Sequence, residues 1–179
     1  MSSRSKRAVF LDRDGTITFA PVVDGKPGAP ASVEEMVVLD GVPEALASLR
    51  AAGYVLICVT NQPDVSRGKQ TREVVDAMNA KLMRELPLDA MYCCFHDDAD
   101  NCDCRKPKPG MLLQGAREHD IDIAQSFMVG DRWRDIEAGI AAGCRTAFID
   151  YHYAERQPAS CDVRVASFAE AARWILAGR

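Results

Sequence analysis

Short apolar runs and amphipathic stretches alternate along the whole chain. Ala8–Leu11, Tyr54–Val59, Asp89–Cys93, Ser126–Val129 and Arg145–Ile149 are apolar over strand-like lengths and predict buried strands, with a last short one over 162–166. Between them the period lengthens. Val42, Ala45, Leu46 and Leu49 fall at i, i+3, i+4 and i+7 and predict a helix that opens after Gly41 and closes at Gly53. Thr71 predicts the cap of a helix to Leu86 that turns Val74, Val75, Met78 and Leu82 inward and stops before Pro87. Further helices are expected over Met111–His119 and Ile136–Ala142, the latter ended by Gly143. Ser167-Phe168-Ala169-Glu170 reads as a capping box opening a terminal helix. This alternation predicts an α/β fold: one doubly wound parallel sheet with helices on both faces, forming a single domain over 1–179.

The intervening segments are short. Ile17–Asp24 predicts a flap or small hairpin, followed by a surface loop over Gly25–Pro30 and a single turn opened by Ser32-Val33-Glu34-Glu35. The basic start reads as a frayed tail over 1–7. The formal net charge of −4 carries no footprint for nucleic acid, and no apolar run is long enough to cross a bilayer. The run at Ala8–Leu11 is broken by Asp12, Arg13 and Asp14, so it does not read as a secretion signal, and a cytoplasmic location is expected. The oligomeric state is not readable from the sequence, a monomer being one option.

Candidate chemistry gathers where strands end. The first apolar run stops abruptly at Asp12-Arg13-Asp14-Gly15-Thr16. Two acids at i and i+2 point to one side of an extended segment, and in open α/β sheets ligands bind beyond the carboxyl ends of strands. Such a pair suits a nucleophilic carboxylate that also ligates a hard cation, beside an acid/base; an acidic turn is the plain alternative. The second strand ends in Thr60-Asn61-Gln62-Pro63, hydrogen-bond donors suited to a phosphoryl group and equally common in turns. The fourth ends in Gly130-Asp131-Arg132-Trp133-Arg134-Asp135, where Asp131 can complete a cation site opened by Asp12 and Asp14.

Seven cysteines cannot all pair internally, and four of them lie between Cys93 and Cys104. Cys94-Phe95-His96 and Cys102-Asp103-Cys104 make two tight pairs, offering three thiolates and one imidazole for a closed tetrahedral Zn²⁺ site. Such a site is structural and clamps a loop insert over 94–109 that has no apolar core of its own. Strand alternation turns only one of Cys93 and Cys94 toward that loop. The insert runs straight into Arg105-Lys106-Pro107-Lys108-Pro109-Gly110, which fixes a lysine on a stiff backbone.

In this order, Asp12-Arg13-Asp14-Gly15-Thr16, Thr60-Asn61, Lys106, and Gly130-Asp131 with Asp135 closely resemble the four motifs of the haloacid dehalogenase-like (HAD) phosphohydrolase superfamily, over residues 8–150. Arg13 between the acids, Thr60-Asn61-Gln62, the Cys/His loop and Cys104-Arg105-Lys106-Pro107 look like its zinc-containing branch, the D-glycero-D-manno-heptose 1,7-bisphosphate and histidinol-phosphate phosphatases. The resemblance implies a Rossmann-like HAD core without a large cap, and Mg²⁺-dependent hydrolysis of a small phosphorylated metabolite through an aspartyl-phosphate. Asp12 would be the nucleophile and Asp14 first the acid, then the base. Mg²⁺ would sit on the Asp12 carboxylate, the Asp14 backbone carbonyl and Asp131. Thr60, Asn61 and Lys106 would offset charge on the transferring group, and Asp135 would orient Lys106. Gln62, Arg105 and Arg132 are the expected contacts to the rest of the substrate. Two places depart from the branch: Pro63-Asp64 follow Gln62 where Ser/Ala-Gly is common, and Thr18-Phe19-Ala20-Pro21 stand in the flap where Asn and Asp are common. A non-catalytic zinc-stabilised module is the rival from another class, opposed by the intact acid pair.

Overall fold

A computed structural model of the protein describes residues 5–178. Six strands, β1 (Arg7–Leu11), β4 (Tyr54–Asn61), β5 (Ala90–Cys94), β6 (Phe127–Gly130), β7 (Arg145–Ile149) and β8 (Val163–Val165), form one sheet in the order β5-β4-β1-β6-β7-β8. Every neighbouring pair is parallel. The chain therefore builds outward from β1 in one direction, then returns to β6 and builds the other way. β1 and its neighbours mark the topological switch point, where such sheets open a crevice.

Alternation along each strand divides the core. Val9, Leu11, Leu56, Cys58, Val129 and Ala147 face the layer of α1 (Val42–Ala51), α2 (Arg72–Glu85) and α5 (Phe168–Ala177), where Leu46, Met78, Leu82 and Ile175 are buried. Ala8, Phe10, Ile57, Val59 and Met128 face α3 (Gly110–His119) and α4 (Trp133–Ala142). Both predicted caps are in place: the Thr71 and Ser167 hydroxyls accept from the Val74 and Glu170 amides.

Several boundaries differ from expectation for definite reasons. The surface loop expected over 25–30 supplies the second strand of a hairpin, β2 (Val22–Val23) with β3 (Lys26–Pro27). Asp24 and Gly25 both have positive φ (51° and 73°), which the two-residue turn between twisted strands requires. α4 begins at Trp133, not at Ile136, because Asp135 in its first turn folds back to accept from the Arg132 amide (2.9 Å). β5 takes in Cys94 and leaves out Asp89, whose carboxylate accepts from the Leu56 amide instead (2.8 Å). The expected tail over 1–7 lies outside the described residues for 1–4; beyond it, Lys6 bonds the Asp120 carbonyl (3.0 Å) and Arg7 opens β1. Between β1 and β4 the described residues form only the hairpin, short turns and α1, so nothing covers the carboxyl ends of the strands as a folded cap would.

Candidate active site

Where β1 ends, the Asp12 amide still bonds the Val129 carbonyl (3.0 Å), so Asp12 prolongs the sheet. The chain then turns sharply, with the Arg13 carbonyl accepting from the amides of residues 16, 17 and 18. Gly15 makes this possible. Its φ is +87°, and a Cβ there would stand 1.9 Å from Asp131 Oδ2. Asp12, Asp14, Thr60, Asn61, Gln62, Lys106, Arg132 and Asp135 line one open cleft of about 670 Å³ at the switch point. Pro27 at the end of the hairpin with residues 28 and 29 after it, Pro63, Asp64, Arg67 and Arg134 complete its wall.

Lys106 is the centre of the site. It is 1 % exposed, and its three ammonium hydrogens go to Asp12 Oδ1 (2.8 Å), Asp135 Oδ1 (2.6 Å) and the Val59 carbonyl (2.7 Å). Burial alone would lower its pKa, but the Asp12 and Asp135 charges override burial and hold it above the ordinary lysine range. Asn61 fixes the same residue by its backbone: its side-chain amide donates to the Lys106 carbonyl (3.0 Å) and its carbonyl accepts from the Lys106 amide (3.1 Å). Asp135 is buried and shared between Lys106 and the start of α4.

Carboxylate oxygens of Asp12, Asp131 and Asp135 lie within 4.8 Å of one another. Burial first, then the neighbouring carboxylates, raises the pKa of Asp12, against the pull of Lys106, and raises that of Asp131 well above its ordinary value. Both Asp131 oxygens are buried without a hydrogen-bond partner; the Tyr153 hydroxyl stands close to them, outside bonding geometry. Three buried carboxylates against one ammonium, with orphaned oxygens among them, fit a hard divalent cation.

Asp14 turns elsewhere. Its carboxylate accepts from Arg13 Nε (3.0 Å) and Nη2 (2.9 Å), Thr18 Oγ1 (3.0 Å) and Gln62 Nε2 (2.7 Å). Arg13 is fully buried, and its Nη1 reaches Asn79 Oδ1 on α2 (2.8 Å). Gln62, expected at the substrate, holds Asp14 and donates to Thr60 Oγ1 (2.9 Å). Of the two arginines expected at the substrate, Arg132 lines the cleft, braced by Glu155 through Nε (3.0 Å) and Nη2 (2.6 Å). Arg105 does not line it: its guanidinium bonds Asp98 Oδ1 (2.8 Å) and the His96 carbonyl. Arg67 and Arg134 occupy the mouth instead. The Arg67 loop offers anion contacts and solvated charges equally from sequence alone, and neither Arg134 nor Asn79 was singled out there. Asn79 did carry a signal, a polar residue four after Val75 and three before Leu82 on an apolar helix face.

The Cys94, Cys102 and Cys104 sulfurs and His96 Nδ1 converge within 4.8 Å, with Cys94–Cys102 3.7 Å and Cys94–His96 3.6 Å apart. Tetrahedral ligands 2.3 Å from zinc are separated by about 3.8 Å, so the donor set and its size fit that ion. Cys93 points to the opposite face, toward the α1/α2 core. All seven cysteines are free thiols.

Comparison with known proteins agrees with this geometry. A family model for haloacid dehalogenase-like hydrolases matches residues 31–143, which include Thr60, the zinc loop, Lys106 and Asp131 and begin after the Asp12 segment. The D-glycero-beta-D-manno-heptose-1,7-bisphosphate 7-phosphatase of Pasteurella multocida is 42% identical over 148 residues, 76% of this chain and 77% of its own. The enzyme of the same name from Escherichia coli K12 is 38% identical over 156 residues, covering 80% and 78%. Among solved structures, a D,D-heptose 1,7-bisphosphate phosphatase from B. bronchiseptica, complexed with magnesium and phosphate, superimposes with a TM-score of 0.82 at 29% identity, over 97% of this chain and 99% of that one. Sheet order, cleft and sequence matches together place this chain in the haloacid dehalogenase-like hydrolase family.

Proposed function

We propose that the chain is a phosphomonoester hydrolase acting on a small sugar phosphate, with D-glycero-D-manno-heptose 1,7-bisphosphate, the compound its relatives are named for, as the leading substrate. One observation carries the chemistry: Asp12 stands at the switch point with one oxygen held by the buried Lys106 ammonium, facing an open cleft. Lys106 keeps Asp12 aimed and offsets the charge that builds as its carboxylate attacks phosphorus in line to give an aspartyl-phosphate. The Thr60 hydroxyl accepts from Gln62 and keeps its own hydrogen for a phosphoryl oxygen. Every partner of Asp14 is a donor, so in this arrangement it is set to accept a proton from the water that hydrolyses the intermediate. Protonating the leaving oxygen beforehand requires it to exchange at least one of those donors. Asp12, the Asp14 backbone carbonyl and Asp131 would hold Mg²⁺, which when bound supplies positive charge against the transferring phosphoryl group. Cys94, His96, Cys102 and Cys104 would hold a structural Zn²⁺. None of the described helices is long and apolar enough to cross a membrane; the free thiols suit a reducing, cytoplasmic setting.

The test is phosphate release from a panel containing the heptose bisphosphate, histidinol phosphate and p-nitrophenyl phosphate, with Mg²⁺ and with chelator. Mg²⁺-dependent turnover highest on the heptose bisphosphate is expected, and Asp12→Asn should lower it more than ~10³-fold with the fold intact. Appreciable turnover by that variant would refute Asp12 as nucleophile. Preference for histidinol phosphate would move the substrate assignment without touching the chemistry.

A further inference from the structure

Three partly exposed guanidinium groups line the same cleft as the buried Asp12 carboxylate that would receive the phosphoryl group: Arg67, Arg132 and Arg134. Two of them are held by consecutive acids of the zinc loop. Arg67 donates through Nε (2.8 Å) and Nη2 (2.6 Å) to both oxygens of Asp97. Arg134 donates through Nη1 (3.2 Å) and Nη2 (3.1 Å) to both oxygens of Asp98. Asp97 and Asp98 are themselves fixed. The Asp97 carboxylate accepts from the Asp98 amide (2.7 Å), its own amide donates to Asp100 (2.7 Å), and Asp98 also takes Arg105 Nε (2.8 Å).

The two arginines come from different places, Arg67 from the loop after β4 and Arg134 from the first turn of α4. Long arginine side chains at an open mouth sample many rotamers, and ordering them on a ligand weakens its binding. A carboxylate gripping each guanidinium by two nitrogens removes that freedom beforehand, while each fork has five N–H donors and keeps some for another partner. The cleft has no cap to supply such contacts, so they have to come from its rim.

We propose that Asp97 and Asp98 are positioning residues that set Arg67 and Arg134 as a paired clamp for a second anionic group on the substrate. The inference rests on the phosphatase reading above and extends it to how the non-reacting end of the substrate is selected. The clamp acts on binding, so it appears in KM and not in kcat. It concerns only substrates that carry the second anion.

The experiment compares wild type, Asp97→Asn, Asp98→Asn and the double variant on a hexose 1,6-bisphosphate and the matching hexose 6-phosphate, with Mg²⁺ present. KM for the bisphosphate should rise roughly 1.4- to fivefold per variant, the size of one exposed charge pair, with kcat unchanged. The monophosphate constants should hold, and Asp98→Glu should recover part of the loss. Arg134→Gln should also raise KM for the bisphosphate, and combining it with Asp98→Asn should add little to that KM, because they remove one device. Zinc content and melting temperature, measured on the same samples, should match wild type. Equal KM increases on both substrates, a drop in zinc content with the loss, or no change on the bisphosphate would overturn the clamp. Wild type that does not favour the bisphosphate overturns it too, with the phosphatase reading intact; wild type that cleaves neither ester removes both.

Discussion

Replacing Asp131 by asparagine tests the cation site through stability, without relying on turnover. The side chain keeps its shape, so the change removes one buried charge. Carboxylates held within 4.8 Å repel by about 3–4 kcal/mol per pair at an effective dielectric near 20. Asp131 faces two of them, Asp12 and Asp135, and the Lys106 ammonium that bridges those two offsets about one. Ionised Asp131 should therefore destabilise the metal-free protein by roughly 3–4 kcal/mol. Its pKa is raised in the folded state, first by burial and then by Asp12 and Asp135. A raised carboxyl contributes stability that is complete below its unfolded value, near 3.8, and is lost as pH climbs through the folded value. The wild type should thus lose stability relative to Asp131→Asn as pH rises from 4 through neutrality. At pH 8 in chelator the variant should melt about 6–16 °C higher, at about 2–4 °C per kcal/mol for a chain of this size. Magnesium at a hundred times its dissociation constant should return about 2.7 kcal/mol to wild type and less than a third of that to the variant. Thermal unfolding followed by circular dichroism across pH, with and without Mg²⁺, gives all of these quantities. A variant less stable than wild type in chelator at pH 8, or equal Mg²⁺ stabilisation of both proteins, would refute the reasoning.

Other perturbations probe other joints of the same site. Gly15→Ala combines a φ of +87° with a Cβ 1.9 Å from Asp131, so it should cost over ~3 kcal/mol and weaken Mg²⁺ binding, seen by melting with and without the ion. Arg13→Met leaves Asp14 and Asn79 without their buried partner and should destabilise by about 3–5 kcal/mol, measured by urea unfolding; an unchanged midpoint would show the arginine is dispensable. Cys102→Ser should release zinc, measured by metal analysis, and lower kcat along with melting temperature, because the clamp sits directly before Lys106.

What could be read beforehand was whatever depends on local order along the chain. The strands' places along the chain, the Cys-x-His and Cys-x-Cys pairs, the Thr71 and Ser167 caps and the choice of Cys94 over Cys93 all follow from alternation and spacing, and all stand in the fold to within a residue or two at the strand ends. The Asp24-Gly25 turn was legible as well, yet it was read as the edge of a loop because the strands it joins have two residues each. The rim was not legible. Arg67 and Arg134 are placed by acids 30 and 36 residues away, and no periodicity encodes such pairings. Arg105, adjacent to the central lysine, looked the better substrate contact until Asp98 claimed it. Gln62 likewise could not be recognised as a brace for Asp14 without seeing where the turn after Asp12 delivers that carboxylate.

The Cys/His loop answers a problem the sheet cannot solve. Asp12, Thr60 and Asp131 are delivered by strands, whose ends are fixed by parallel ladders on both sides. Lys106 belongs to no strand or helix, yet its ammonium has to reach 2.8 Å from Asp12 inside a buried space. A loop wandering by one ångström there would leave buried carboxylates uncompensated, which is far more costly than a misplaced surface residue. Two constraints remove that freedom. Asn61 grips the Lys106 backbone from β4, and the Cys/His cluster closes the preceding segment against Cys94, the last residue of β5. β5 pairs only with β4, so both constraints trace back to that strand. The insert therefore rests on one rigid place, the paired carboxyl ends of β4 and β5 at Asn61 and Cys94, and the same closure that places Lys106 also holds Asp97 and Asp98 toward the mouth.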